Sequence, residues 1–390
     1  MVLGNRKNSV RNFFVVVATS LMLLGVSRAQ SVSGVDDIVL PDGFAIETWA
    51  DGVPNARSLA LGSNGTVFVS SRRDGRVYAL VPGADGRPEV MVIAADLKVP
   101  NGLAFLNGDL YVAEMTRITR YPDIENNLAD IPEPELIYDN LPGESQHGWR
   151  YIGFGPDDRL YISIGMPCNV CVREGFGNIS RLNQQGDGLE IVADGVRNSV
   201  GFTWHPQTAE LWFTDNGRDM LGDDIPPGEL NHAVRDGMHF GFPYCHGSDI
   251  KDPEFGSKRS CGEFTAPAQE LGPHVAPLGV KFYTGNMFPD EYRGQIFIAE
   301  HGSWNRSRKN GYRISLVRMV DGKAAGYEVF AEGWQIDDKV SGRPVDLLVM
   351  PDGSMLVSDD KAGKVYRISY RRPITEGIAQ QGDRSLWETT

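Results

Sequence analysis

The chain has 390 residues, 41% of them hydrophobic, with 45 glycines, 23 prolines and a formal net charge of −13. An acidic surface of that size argues against nucleic acid or anionic membrane as a partner, because both demand a positive footprint. The glycine content favours many tight turns over long helices.

In chain order, the first element is an export signal over residues 1–29. Arg6, Lys7 and Arg11 form a positive start, residues 13–26 are an apolar run too short for a spanning helix, and Ser27-Arg28-Ala29 offers a small-x-small cleavage site. No later segment is apolar for long enough to cross a bilayer. The expectation is a periplasmic or secreted protein whose mature chain does not insert in the membrane.

A short strand signal then recurs along residues 30–370. It reads Asn64-Gly-Thr-Val-Phe-Val-Ser, Asn107-Gly-Asp-Leu-Tyr-Val-Ala, Asp158-Arg-Leu-Tyr-Ile-Ser, Ala209-Glu-Leu-Trp-Phe-Thr, Arg293-Gly-Gln-Ile-Phe-Ile-Ala and Asp352-Gly-Ser-Met-Leu-Val-Ser. Period-two alternation bounded by Asn-Gly, Asp-Gly and Pro-Asp turns is strand and hairpin chemistry. Six such units at irregular spacing fit an all-β, six-bladed β-propeller with insertions, expected at 219–261 and 306–310. The polar, unpatterned segment 371–390 reads as a disordered tail.

Four cysteines follow the export signal: Cys168, Cys171, Cys245 and Cys261. In an exported chain they suggest two disulfides, with three pairings open. The sequence-local pairs Cys168–Cys171 and Cys245–Cys261 are favoured because each brackets one loop. Val172 stands where a CxxCH haem motif needs histidine, which excludes c-type haem attachment.

A propeller brings loops from distant sequence to one axis, so the polar residues that strands do not need become site candidates. His147, on the loop Gly143-Glu-Ser-Gln-His-Gly-Trp-Arg, suits a general base. Arg197 and Asn198 interrupt a strand-like run, and arginine offers a fixed fork of donors for an oxyanion or carboxylate. Thr214-Asp-Asn-Gly-Arg-Asp-Met-Leu-Gly-Asp-Asp-Ile is oxygen-rich enough for calcium, though its spacing is not that of an EF-hand. His301-Gly-Ser-Trp-Asn-Arg adds Trp304, which could stack on a planar ligand, while Arg306, Lys309 and Arg343 could hold anionic groups. Each of these also has a structural reading, as a packing aromatic, a satisfied histidine or an acidic solvated turn.

As a set, Gln146-His-Gly-Trp-Arg-Tyr-Ile-Gly-Phe-Gly-Pro-Asp, Gly195-Val-Arg-Asn-Ser, Asp215-Asn-Gly-Arg-Asp, Ala299-Glu-His-Gly-Ser-Trp-Asn-Arg and Gly342-Arg-Pro-Val-Asp resemble the soluble pyrroloquinoline-quinone (PQQ)-dependent glucose/sorbosone dehydrogenases. The likeness leans toward the L-sorbosone and pyranose dehydrogenase branch. It implies a six-bladed propeller carrying PQQ and Ca2+ that oxidises a small sugar and passes electrons to a separate acceptor, a cytochrome or quinone. By position, His147 would be the base and Arg197 the group that stabilises charge on the quinone. Asn101, Gln146, Asn198, Trp304, Arg306, Lys309 and Arg343 would contact cofactor or sugar. Gly217 and Arg218 would offer calcium their carbonyls, with Asp223 and Asp224 nearby. Two departures stand out: Val345 replaces a second arginine, and Gln146 replaces an acidic residue beside the base. A calcium-dependent lactonase of the gluconolactonase type and a non-catalytic binding propeller are the alternatives.

Overall fold

The computed structural model describes Met1 and residues 35–371. The export-signal and tail expectations lie outside the described residues. Among those described there is no α-helix, only four 3-10 turns, and no helix long and apolar enough to cross a membrane.

Six sheets of four or five strands, antiparallel apart from one short added strand, follow one another along the chain. Their first strands are Ala56–Leu61, Gly102–Leu106, Ile152–Phe154, Phe202–Trp204, Pro277–Phe282 and Pro344–Val349. Phe44–Asp51 leaves the N-terminal side of the chain to pair with Lys364–Tyr370, so the last blade is completed by the first strand. That closure ties the two ends of the propeller together and removes a free edge. A single aromatic cluster backs it, with Phe44 edge-on to Phe288, Tyr292 and Phe330 at 4.8–5.2 Å.

Each of the six repeated sequence units becomes the second strand of a blade: Val67–Ser71, Asp109–Ala113, Leu160–Ile164, Leu211–Asp215, Ile296–Glu300 and Met355–Asp359. All but one of these strands are buried from end to end, because neighbouring blades cover both faces. The hydroxyl that ends several units has a defined job. Ser70 Oγ donates to the Asn101 carbonyl at 2.6 Å, Thr214 Oγ1 to Leu278 at 2.6 Å and Ser358 Oγ to Arg57 at 2.6 Å. Each bond runs from one blade to the entry of the next, satisfying a buried carbonyl and fixing the interval around the ring.

The expected insertion at 219–261 is interrupted by a blade strand, Pro227–Ala233. The Pro226-Pro227-Gly228 start hides it, since proline and glycine read as loop signals. Beyond it, Met238–His239 adds in parallel to the outer strand of blade three, and Cys245–Cys261 closes the excursion. Both disulfides are the sequence-local pairs, Cys168–Cys171 and Cys245–Cys261.

Candidate active site

The blade-entry loops enclose a cavity of about 310 Å3 at one end of the ring. Its lining brings together His147, Arg197, Asn198, Gly217, Arg218, Trp304 and Arg343, seven residues singled out from sequence, with Arg57, Arg72, Trp149 and His301.

His147 adopts a left-handed backbone (φ 52°) at the end of its loop. It fits there because Gly165 lies behind it, where a Cβ would come within 2.7 Å of the His147 Cβ. Its Nδ1 is 2.7 Å from the Met166 carbonyl oxygen. A carbonyl can only accept, so Nδ1 carries the proton and Nε2 keeps its lone pair. Burial, reinforced by the Arg197 charge, lowers the imidazole to a pKa of about 4. The histidine is therefore neutral, and basic at Nε2, across the physiological range.

Arg197 is buried and held at every nitrogen. Nε donates to the Asn169 carbonyl (2.9 Å), Nη2 to Asn169 Oδ1 (3.0 Å) and Asp219 Oδ2 (3.1 Å), and Nη1 to the Asn216 carbonyl (3.1 Å). Both carboxylate oxygens of Asp215 accept main-chain N–H groups, from Arg197 at 2.8 Å and Asn198 at 2.6 Å. The Asn198 Oδ1 is buried without a partner, as is the Trp149 indole N–H. An orphaned polar atom on a cavity wall is what a bound polar ligand would satisfy.

The opposite wall is cationic. Arg343 spends Nε and Nη2 on the carbonyls of His301 (2.9 Å) and Gly302 (2.8 Å), and Arg72 lies 4.5 Å over the Trp149 ring. Neither has a carboxylate partner among the described residues. Burial and the neighbouring Arg57 push Arg72 down to about 9. Arg57 does have a partner, Asp360 at 3.0 Å, which also receives His301 Nε2 at 2.9 Å. Burial alone would raise the Asp360 carboxyl, but His301 and Arg57 outweigh it and hold it well below the usual carboxylate range.

The other expected residues sit elsewhere. Asn101 is 1% exposed beneath the cavity, accepting from Arg57 Nε at 2.9 Å and donating to the Arg150 carbonyl at 3.0 Å. Gln146 points to solvent outside the lining. On the rim, Asp223 accepts from the Ser307 N–H (2.9 Å), its carbonyl accepts from Arg306 Nε (3.1 Å), and Arg306 reaches Asp224 at 3.4 Å. Lys309 pairs with Asp338 at 3.8 Å. Asp223, Asp224 and Arg306 lock two loops together, Lys309 ties to a third, and none of the four lines the cavity. Val345 is buried in an apolar cluster with Val200 and Leu278, so no cation stands at that position.

Beneath Asn216 and Gly217 is a small void walled by Asp215, Glu229 and His246. Burial raises Asp215 to about 6, and burial with the adjacent Asp215 raises Glu229 to about 8. Two buried carboxylates beside the Asn216-Gly217 main chain are oxygen donors of the kind a hard cation takes. Among the described residues no three His, Cys, Asp or Glu side chains form a cage of their own. A calcium ion here would need main-chain and ligand oxygens as well, which fits the Gly217 and Arg218 carbonyls.

Sequence reasoning passed over Arg57, Arg72, Glu229 and Asp360, and counted Asp215 only as one of the aspartates of the oxygen-rich loop. Arg57 carried a signal, as a lone charge inside the otherwise apolar strand Ala56–Leu61. The buried acids carried little, because nothing in the sequence distinguishes a buried strand-end aspartate from a solvated one.

The TrAA12-like family matches residues 178–371. A PQQ-dependent pyranose dehydrogenase of Coprinopsis cinerea is 21% identical over 346 residues, covering 81% of this chain but 38% of that longer protein. Residues 178–371 carry the TrAA12-like family match, and the chain is similar to PQQ-dependent sugar dehydrogenases. An uncharacterised protein of Borreliella burgdorferi is 34% identical over 385 residues, spanning 94% of this chain and 100% of its own length. The calcium structure of a family AA12 enzyme of Trichoderma reesei superposes with a TM-score of 0.76 at 19% identity, covering 86% of this chain and 97% of that one. The family match runs from the third strand of blade three through blade six, and the structural likeness covers 86% of the chain.

Proposed function

We propose that this chain is an exported, PQQ- and calcium-dependent dehydrogenase that oxidises an aldose or related sugar aldehyde at its carbonyl-bearing carbon. The observation that carries it is one cavity holding a neutral histidine whose Nε2 is free, opposite arginines with no carboxylate of their own.

The residues present fit the cofactor. PQQ is a planar tricarboxylate, and Arg343 and Arg72 are the cations free to receive carboxylates, while Asn198 Oδ1 and the Trp149 N–H await polar partners. The Gly217 and Arg218 carbonyls, with Asp215 behind them, are the place for calcium. When bound, PQQ supplies a two-electron acceptor and calcium a Lewis acid beside it.

The chain's own residues supply the rest. His147 Nε2 accepts the proton of the substrate hydroxyl, and the Met166 carbonyl steadies the imidazolium that results. Arg197, held rigidly, stabilises negative charge that develops on the acceptor's oxygen. Trp304, 70% exposed at the mouth, offers an indole face to a sugar ring. The electrons then pass to a separate carrier, a cytochrome or quinone. The lactonase alternative would use Asn101 as a metal ligand, but that amide is committed to Arg57 and the Arg150 carbonyl.

Dye reduction by the protein with PQQ and calcium, across aldoses and sorbosone, tests this reading. Activity needing both additions supports it. Lactone hydrolysis without PQQ binding would replace it.

A further inference from the structure

We propose that the disulfide-clamped segment 166–173 is the element that positions both polar groups of the reaction, with Asn169 as the positioning residue for Arg197. The proposal rests on the functional reading above, which uses the Met166 carbonyl but gives Asn169 and the disulfide no role.

Four contacts converge on this one segment. Its first residue, Met166, supplies the carbonyl that fixes the His147 tautomer. Asn169 then grips Arg197 twice, through its main-chain oxygen at 2.9 Å and its side-chain oxygen at 3.0 Å. The same side chain reaches the rim loop, accepting from the Asp219 N–H at 2.8 Å and donating to the Asp219 carbonyl at 3.0 Å. Finally, Arg173 pairs with Glu144 at 2.6 Å, tying the far end of the segment to the loop that carries His147.

Nothing in regular structure holds Asn169 in place. Residues 165–177 lie between the second and third strands of blade three and belong to neither. What constrains it is the Cys168–Cys171 bond, which encloses Asn169 and Val170 in a small ring. A ring with two intervening residues leaves the backbone few conformations, so both Asn169 oxygens stay aimed at the guanidinium. The arrangement also accounts for a half-exposed disulfide in a loop that staples no core. A guanidinium that must meet developing charge has to be oriented before the reaction, and this ring does so.

Three variants test it, Asn169→Ala, Cys168→Ser/Cys171→Ser and the triple substitution, with Asn169→Asp as the conservative control. Two readouts are used. The first needs no activity: phenylglyoxal modification of Arg197 in the apo-protein, followed by peptide mass spectrometry. Modification is expected to be faster in all three variants, and an unchanged rate overturns the proposal even if the chain proves not to be a dehydrogenase. The second is kinetic. Loss of an oriented charge-stabilising donor costs up to about 10²–10³ in kcat, so partial release of Arg197 should cost about tenfold. The triple variant should be no slower than either parent, because both changes release the same group. Asn169→Asp, which keeps an oxygen for Arg197, should retain most of kcat. The acid limb of kcat/KM should move up in the slow variants, since Arg197 then repels the His147 imidazolium less. Losses that multiply in the triple variant, or that appear only in thermal midpoint and KM, would overturn the proposal.

Discussion

The Nδ1 of His147 donates to the carbonyl oxygen of Met166 across 2.7 Å, and that one contact decides which nitrogen can act as base. Because the acceptor is a main-chain carbonyl, no side-chain substitution at Met166 removes it. The base is set by the path of the backbone, from the left-handed turn at His147 to the glycine behind it.

The rate should therefore depend on pH in an unusual range. His147 works as the neutral form, and its pKa is lowered from the ordinary 6.5 to about 4 by burial and by Arg197. Activity is expected to persist as pH falls through 6.5 and to be lost only near 4, read from kcat/KM against pH. Arg197→Gln should shift that limb upward while lowering kcat. A limb that stays put would remove Arg197 from the neighbourhood of the base.

Gly165→Ala places a methyl 2.7 Å from the His147 Cβ and 3.0 Å from Asn198 Oδ1. Overpacking of this kind costs about 1–3 kcal/mol and forces the imidazole to move. The expected outcome is a kcat loss larger than the change in PQQ affinity, the two being measured by dye reduction and fluorescence titration.

Cations on the two sides of the cavity should behave differently. Arg343→Ala removes an arginine that has no carboxylate partner among the described residues, so PQQ affinity should fall by about tenfold or more, as for a lost charge-assisted contact. Arg306→Ala and Lys309→Ala break rim pairs with Asp224 and Asp338 and should leave PQQ affinity within about twofold. Equal losses in all three would move the cofactor toward the rim.

Asn101→Ala strands Arg57 Nε and the Arg150 carbonyl in the interior. Leaving buried polar groups unsatisfied costs about 1–3 kcal/mol, so the thermal midpoint should drop in apo-protein as well as with PQQ. Removing calcium with a chelator should instead abolish dye reduction reversibly. Asp215→Asn should raise the calcium concentration needed to restore it, because it takes a charge from the void beside Asn216 and Gly217.

The ring was readable in the sequence because each second strand repeats a turn and an alternating run, and in three of the six a terminal hydroxyl bonds to the next blade. His147, Arg197 and Arg343 were readable because a charged or basic residue interrupts strand or turn chemistry there. Arg306 and Lys309 carried the same signal, yet the fold turns them to rim carboxylates, and local pattern does not encode which way a loop faces. Arg57 and Asp360 meet across 303 positions of sequence, so no local period announces the pair. Glu229 was masked by Pro227-Gly228, which read as a loop and not as the start of a blade strand.

The most direct test is dye reduction by purified protein without additions, then with PQQ, with calcium, and with both, using an aldose panel. The account predicts turnover only with both, falling by about 10²–10⁴ in His147→Ala as for loss of a general base, with PQQ still bound. Turnover undiminished in His147→Ala, or no PQQ binding by the wild-type protein, would contradict it.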